Sequence, residues 1–205
     1  QDRLLIMGVA GCGKSSLAER LVAALDARSP NASSDDVPAT RWRLVEADDF
    51  HPPANVDKMS QGEPLDDDDR RLWLDRVAAE VQQAARDRSD RYAETHRAGV
   101  VLACSALKRR YRERLIDDQY ARWLIVHLRI DRDTAARRIG DRSRRGAHFM
   151  PTSLVDSQFQ ALEPPDTDPG AAGEPPSASV LNLDATLPIE TLVARVLDAL
   201  EADRL

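Results

Sequence analysis

Short continuous apolar runs alternate along this chain with longer stretches whose apolar positions recur every three or four residues. Leu4-Leu5-Ile6-Met7 is such a run, the pattern of a strand buried on both faces. It leads through a glycine loop into a helix expected from Ser15 to about Ala27, where Leu17, Leu21, Val22 and Leu25 share one face. Further strands are predicted at Trp42 to Ala47, Val100 to Ala103, Trp123 to Leu128 and Val180 to Leu183. Gly99 reads as the stop before the strand at Val100. Helical spacing is predicted over Arg70 to about Arg88, with Trp73, Leu74, Val77, Val81 and Ala84 near a 3.6-residue period. Other helices are expected over Leu107 to Ile116, Asp133 to Ile139 and Ser153 to Leu162. A closing helix runs over Pro188 to Ala202, with its proline in the first turn. Ser29 to Thr40 and Glu163 to Ser179 read as solvent loops. Strands that alternate with helices predict an α/β fold, a five-stranded parallel sheet flanked by helices. Residues 1–205 read as one domain. The polar stretch at about 48–69 and the glycine-containing basic stretch at about 142–150 read as insertions capping it.

Composition narrows the class. Hydrophobic residues make up 42% and charged residues 31% of 205, which suits a folded domain rather than a disordered chain. No apolar run approaches the roughly 20 residues that span a bilayer, and no signal peptide is visible before the first strand, so the expected location is the cytoplasm, with no membrane partner. The two cysteines, Cys12 and Cys104, are too few for a disulfide framework and are expected as reduced thiols. A net charge of −6 opposes nucleic-acid binding. The basic segments 108–114 and 137–145 also lack the interleaved aromatics of a single-strand binder. Positive charge must instead be concentrated locally.

Gly8-Val9-Ala10-Gly11-Cys12-Gly13-Lys14-Ser15 matches G-x-x-x-x-G-K-[ST] at each position, between a strand and a helix. Such a loop turns consecutive backbone N–H groups around a phosphate, and the helix N-terminus adds its positive end. The expected roles are Lys14 on the β- and γ-phosphates of ATP, Ser15 as a ligand of Mg²⁺, and Ser16 on the α-phosphate. Cys12 needs only to be small. No Asn-Lys-x-Asp motif reads guanine, and the chain lacks the bulk of a motor, which favours a small-molecule kinase.

The second strand ends in Glu46-Ala47-Asp48-Asp49-Phe50-His51-Pro52. A carboxylate at this tip, beside the phosphate loop, suits a base for an attacking hydroxyl or a metal ligand acting through water. Asp48 directly follows the apolar strand and is the better candidate, with Asp49 as its solvated neighbour. The run Asp66 to Asp69 reads either as a cap on the helix near Arg70 or as the neighbour of a carboxylate clamp made by Lys58 and Arg70. The bare residues leave both readings open.

His51-Pro52, Asn55, Lys58-Met59, Gly62-Glu63-Pro64-Leu65 and Asp67-Asp68-Asp69-Arg70 together resemble the signature of the gluconate kinases. The likeness continues in Cys104-Ser105-Ala106-Leu107-Lys108-Arg109-Arg110-Tyr111-Arg112, in His148-Phe149-Met150-Pro151, in Ser157-Gln158-Phe159 and in Leu162-Glu163-Pro164-Pro165. It covers about residues 4–165. The resemblance implies an adenylate- and shikimate-kinase-like fold with strand order 2-3-1-4-5, ATP-dependent phosphorylation of D-gluconate to 6-phosphogluconate, and a homodimer. It also implies acceptor contacts from His51, Lys58, Arg70, Ser105, Lys108, Arg112 and His148, and a lid whose arginine meets the γ-phosphate. Arg145, three before His148, is favoured for that role, with Arg142 second; about three residues look inserted in this lid. The rival readings are a kinase for another small hydroxy acid such as shikimate, and a nucleotide-binding regulator without catalysis.

Overall fold

The computed structural model describes residues 3–28, 40–86, 97–116, 121–144, 153–165 and 177–202. Five strands, β1 (Arg3–Met7), β2 (Thr40–Glu46), β3 (Arg97–Ala103), β4 (Trp123–Arg129) and β5 (Ala178–Asp184), form one sheet. Every pairing is parallel, and the order is β2-β3-β1-β4-β5, as the family likeness implies. The helices are α1 (Lys14–Arg28), α2 (Pro53–Ser60), α3 (Asp67–Arg86), α4 (Arg109–Leu115), α5 (Arg132–Arg144), α6 (Ser153–Ala161) and α7 (Ile189–Ala202). A short 3-10 turn covers Ala47–Phe50.

Side chains on successive strand positions point to opposite faces, and β1 divides accordingly. Leu4 and Ile6 join Val101, Val126, Leu17, Leu21 and Val196 in a core under α1 and α7. Leu5 and Met7 join Leu102, Ile125, Trp73, Val77 and Tyr111 in a core under α3 and α4. The central strand is therefore fully buried on both sides, which is why it reads as an uninterrupted apolar run.

Three boundaries differ from expectation. Gly99 does not stop an element; it lies inside β3, opposite Trp42 of β2. A Cβ there would stand 2.5 Å from the Trp42 ring, so the glycine makes room for a cross-strand indole. Helix α3 starts at Asp67 rather than Arg70, and Asp67, Asp68 and Asp69 occupy its first turn, where the helix dipole favours acids. Helix α5 continues through Arg142 to Arg144, so the first residues of the expected lid are helical. The rest of that segment, with Arg145 and His148, lies outside the described residues.

The chain leaves β1 toward β2 on one side, while β4 lies on the other. The crevice beyond the carboxyl end of β1 is thus a topological switch point, the usual ligand site of such sheets. The phosphate loop, the turn after β2 and the segment after β3 all converge there.

Candidate functional site

The phosphate loop follows β1 directly, and its turn is held from several sides. Gly11 has φ +80°, and a Cβ on it would meet the Ala135 carbonyl oxygen at 2.8 Å. Helix α5 therefore packs against the loop more closely than any other residue type allows. Gly13 has φ +98°, and a Cβ there would meet nothing within 4 Å. That side of the loop is an open cradle edged by backbone N–H groups at the start of α1. Lys14 Nζ donates to the Val9 carbonyl at 3.2 Å, which holds the ammonium over the loop. Ser16 is exposed on the first turn of α1. Cys12 is buried, and burial raises its thiol pKa despite the Lys14 charge. Cys104 is pushed up to about 12, chiefly by burial. Neither thiol is poised to react.

The tip of β2 carries two carboxylates with different surroundings. Asp48 is exposed in the 3-10 turn and lines the large cavity. Glu46 is half-buried at the strand end, and the Ser15 hydroxyl donates to it. Its pKa is raised, first by burial and then by Asp48 and Asp49, against the opposing Ser15 bond and Lys14 charge. Sequence reading passed over Glu46 in favour of Asp48. The signal was present as two carboxylates two residues apart, one on the strand and one beyond it.

His51 stacks on Trp73, with ring centroids 4.3 Å apart and planes 9° from parallel. The indole is itself anchored, since Nε1 donates to the Ala47 carbonyl at 2.7 Å. Burial lowers the His51 pKa, with the Arg70 charge acting the same way and Asp48 opposing. The imidazole Nε2 lies 3.9 Å from Asp48 Oδ1. A neutral ring is thereby fixed beside the candidate base.

A cavity of about 380 Å³ joins these parts. It is lined by Gly11, Gly13, Lys14 and Ser15 of the phosphate loop, by Asp48, His51 and Arg70, and by Ser105, Ala106 and Arg142. Lys14, Arg70 and Arg142 are the cationic side chains lining it among the described residues. Arg70 is oriented by its Nη1, which donates to the carbonyls of Leu65 and Asp66.

Three of the expected acceptor contacts, Lys58, Lys108 and Arg112, have partners inside the protein and do not line this cavity. Lys58 is outside the cavity wall, with Nζ 2.6 Å from Asp69 Oδ2. Lys108 is likewise outside it, 2.8 Å from Asp67 Oδ1. Asp67 also accepts from Arg110 and Tyr111, and these bonds, led by that of Lys108, hold its carboxyl well below the usual range. Arg112 is 1% exposed, and its Nη1 donates to the carbonyls of Ala106, Leu107 and Glu163 at 2.9 to 3.3 Å. Its guanidinium binds the backbone of the segment after β3 and of Glu163. In each case a partner inside the protein, invisible in the order of residues, has claimed the charge.

Two further residues were not assigned from sequence. Gln158 of α6 lines the cavity, and its Oε1 accepts from Ala10 N at 2.7 Å. Arg138 donates to the Gly11 carbonyl at 3.4 Å and to that of Ala185 at 3.0 Å. It lies one helical turn before Arg142, so α5 presents both toward the phosphate loop.

A parallel sheet of this order, a glycine-lysine-serine loop on β1 and facing carboxylates on β2 define a P-loop phosphotransferase. A family model described as an AAA domain matches residues 4–165. Gluconokinase of Gluconobacter oxydans (strain 621H) is 39% identical over 170 residues, covering 80% of this chain and 77% of its own. Among solved structures, a gluconokinase from Sinorhizobium meliloti 1021 superposes with TM-score 0.65 at 30% identity, over 98% of this chain and 96% of that one. A sugar kinase from Janibacter sp. HTCC2649 does so with TM-score 0.71 at 32% identity, over 98% and 95%. The chain belongs to the gluconokinase family of P-loop kinases.

Proposed function

We propose that the protein transfers the γ-phosphate of ATP to D-gluconate, giving 6-phosphogluconate. The observation that supports this reading is the shared cavity, which is lined by the phosphate loop, by the strand-tip carboxylate Asp48 and by Arg70. Gly11 to Ser16 wrap the phosphates, and Lys14 bridges toward the transferred group. Arg70 faces the acceptor side, where its planar guanidinium suits a carboxylate. Asp48 takes up or orients the proton of the attacking hydroxyl, with the neutral His51 ring beside it. Ser105 closes the acceptor end. Arg142 approaches from the end of α5 and compensates charge on the phosphoryl group.

The Ser15 hydroxyl and the Glu46 and Asp48 carboxylates form an oxygen donor set of the kind Mg²⁺ accepts together with substrate phosphates. Bound there, Mg²⁺ would supply charge neutralisation on the phosphate oxygens. Positioning and electrostatics then account for most of the acceleration, because phosphoryl transfer passes through a loose transition state. A cytoplasmic homodimer completes the reading, supported by the family likeness. No described helix is long and apolar enough to cross a membrane.

A coupled ADP-release assay with Mg-ATP and gluconate, shikimate, glucose, a neutral polyol or water tests the proposal. Release with gluconate alone is the expected result. Release with shikimate in its place would move the protein to another acceptor, and ATP binding without release in any mixture would leave a regulator.

A further inference from the structure

The segment after β3 adopts a conformation that its residues do not choose alone. Ala106 has φ +45°, in the left-handed region where a Cβ crowds the backbone and glycine is the usual occupant. It is also buried, and it lines the cavity with Ser105 and Leu107 on either side. Left to itself, a strained residue of this kind relaxes; it persists where its surroundings hold it.

The holding group is Arg112. Its buried guanidinium gathers the Ala106, Leu107 and Glu163 carbonyls onto one nitrogen. Glu163 closes the bracket from the other side. Its backbone N–H donates to the Leu107 carbonyl at 2.8 Å, and its Oε2 accepts from Arg109 N at 2.7 Å. The near end of the segment is tied to the phosphate loop, as Gly8 N donates to the Ser105 carbonyl at 3.3 Å. Four of these bonds hold the three cavity-lining residues and two more tie Glu163 to Arg112 and Arg109, while neither Arg112 nor Glu163 lines the cavity itself.

We infer that Arg112, completed by Glu163, is a positioning residue for the acceptor: it imposes the left-handed turn at Ala106 that presents Ser105 to the acceptor end of the cavity. The inference rests on the acceptor reading given above. The rigid guanidinium fixes the direction of its N–H donors toward these carbonyls, which a lysine ammonium does with less geometric control.

The test compares Arg112→Lys, Glu163→Ala and the double variant Arg112→Lys with Ala106→Gly against the unaltered protein. Gluconate kcat/KM, ATP dissociation constant and a crystal structure of each are the readouts. Arg112→Lys is expected to lower gluconate kcat/KM by about tenfold to a hundredfold, the scale of an ångström-sized misplacement, with ATP affinity within about twofold. Ala106→Gly should restore a substantial part of that loss, because glycine adopts the left-handed turn without a Cβ penalty. Glu163→Ala, whose side chain is exposed, should show a smaller loss of the same kind, and it carries the test if Arg112→Lys does not fold. Equal losses in gluconate kcat/KM and ATP affinity, or no rescue by glycine, would overturn the assignment. So would an unchanged left-handed Ala106 in the Arg112→Lys crystal, whichever acceptor the protein uses. Failure of the unaltered protein to use gluconate would instead count against the proposed function.

Discussion

The Ser15 hydroxyl donates to the Glu46 carboxylate, which joins the first turn of α1 to the tip of β2. Burial, the largest influence, disfavours the ionised form of Glu46, and the bond from Ser15 partly offsets it. A carboxylate in this position orients the hydroxyl and keeps negative charge where a cation would sit. Glu46→Gln is expected to lower kcat by about tenfold to a hundredfold, as for other groups that orient a ligand from behind. The pH dependence follows from the sign of the shift. The folded pKa lies above the ordinary value of 4.5, so the native state binds more protons than the unfolded one above that pH. This contribution to stability is present below 4.5 and is lost as pH rises through the folded value. Glu46→Gln should therefore unfold at a higher temperature than the unaltered protein at pH 7 while being less active. A variant both less stable and less active at that pH would contradict this account.

Asp48 and Lys14 face the same cavity but should fail differently. Lys14→Ala removes a preorganised cation from the phosphate side, and kcat should fall by about 10² to 10³. Asp48→Asn keeps the shape and removes the proton acceptor; transfer should drop by about 10² to 10⁴ with ATP affinity largely retained. Stopped-flow nucleotide binding beside steady-state turnover separates the two. Weak ATP binding by Asp48→Asn would place Asp48 on the metal rather than on the acceptor.

Gly99 is the clearest structural test. A methyl group there would lie 2.5 Å from the Trp42 ring, and the indole is buried against the α1 core. Gly99→Ala should cost about 1 to 3 kcal/mol by overpacking, or several degrees in Tm for a chain of this size. Trp42→Leu in the same background should recover part of the loss, since the clash has a named partner. An unshifted melting curve for Gly99→Ala would mean that β2 and β3 separate more easily than their pairing suggests.

The strands, the helices between them and the phosphate loop were legible because each depends on local pattern: continuous apolar runs for strands buried on both faces, and glycine, lysine and serine in fixed order for the loop; the strand order came from the family likeness. Asp48 was legible from its place just after the second strand, His51 and Arg70 from the family signature, and the three line one cavity. Long-range pairing was not legible. Lys58, Lys108 and Arg112 looked equivalent to Arg70 as cations near the acceptor, yet Asp69, Asp67 and three carbonyls hold them. Gly99 read as a stop because the residue it accommodates, Trp42, lies 57 positions earlier in the chain. Glu46 was hidden for a similar reason, since its importance comes from Ser15 across the sheet edge.

His127 gives a prediction about acid stability that is independent of catalysis. It lies on β4, 3% exposed, with Nδ1 2.8 Å from Asn182 Oδ1 on β5. Burial lowers its pKa below the ordinary 6.5, the Arg112 and Arg129 charges add to this, and the Asn182 bond opposes. With a folded pKa below the unfolded one, the unfolded chain binds more protons as pH falls past 6.5. Stability supplied by the neutral imidazole is therefore complete above that pH and is lost as pH drops toward the folded value, at about 1.4 kcal/mol per pKa unit of difference. His127→Gln keeps a polar group for Asn182 and removes the titration. Its melting temperature should fall less between pH 7 and pH 5 than that of the unaltered protein, and a His51→Gln control separates the contribution of the ring stacked on Trp73. Parallel pH profiles for the unaltered and His127→Gln proteins would show that the β4–β5 edge admits the imidazolium without cost.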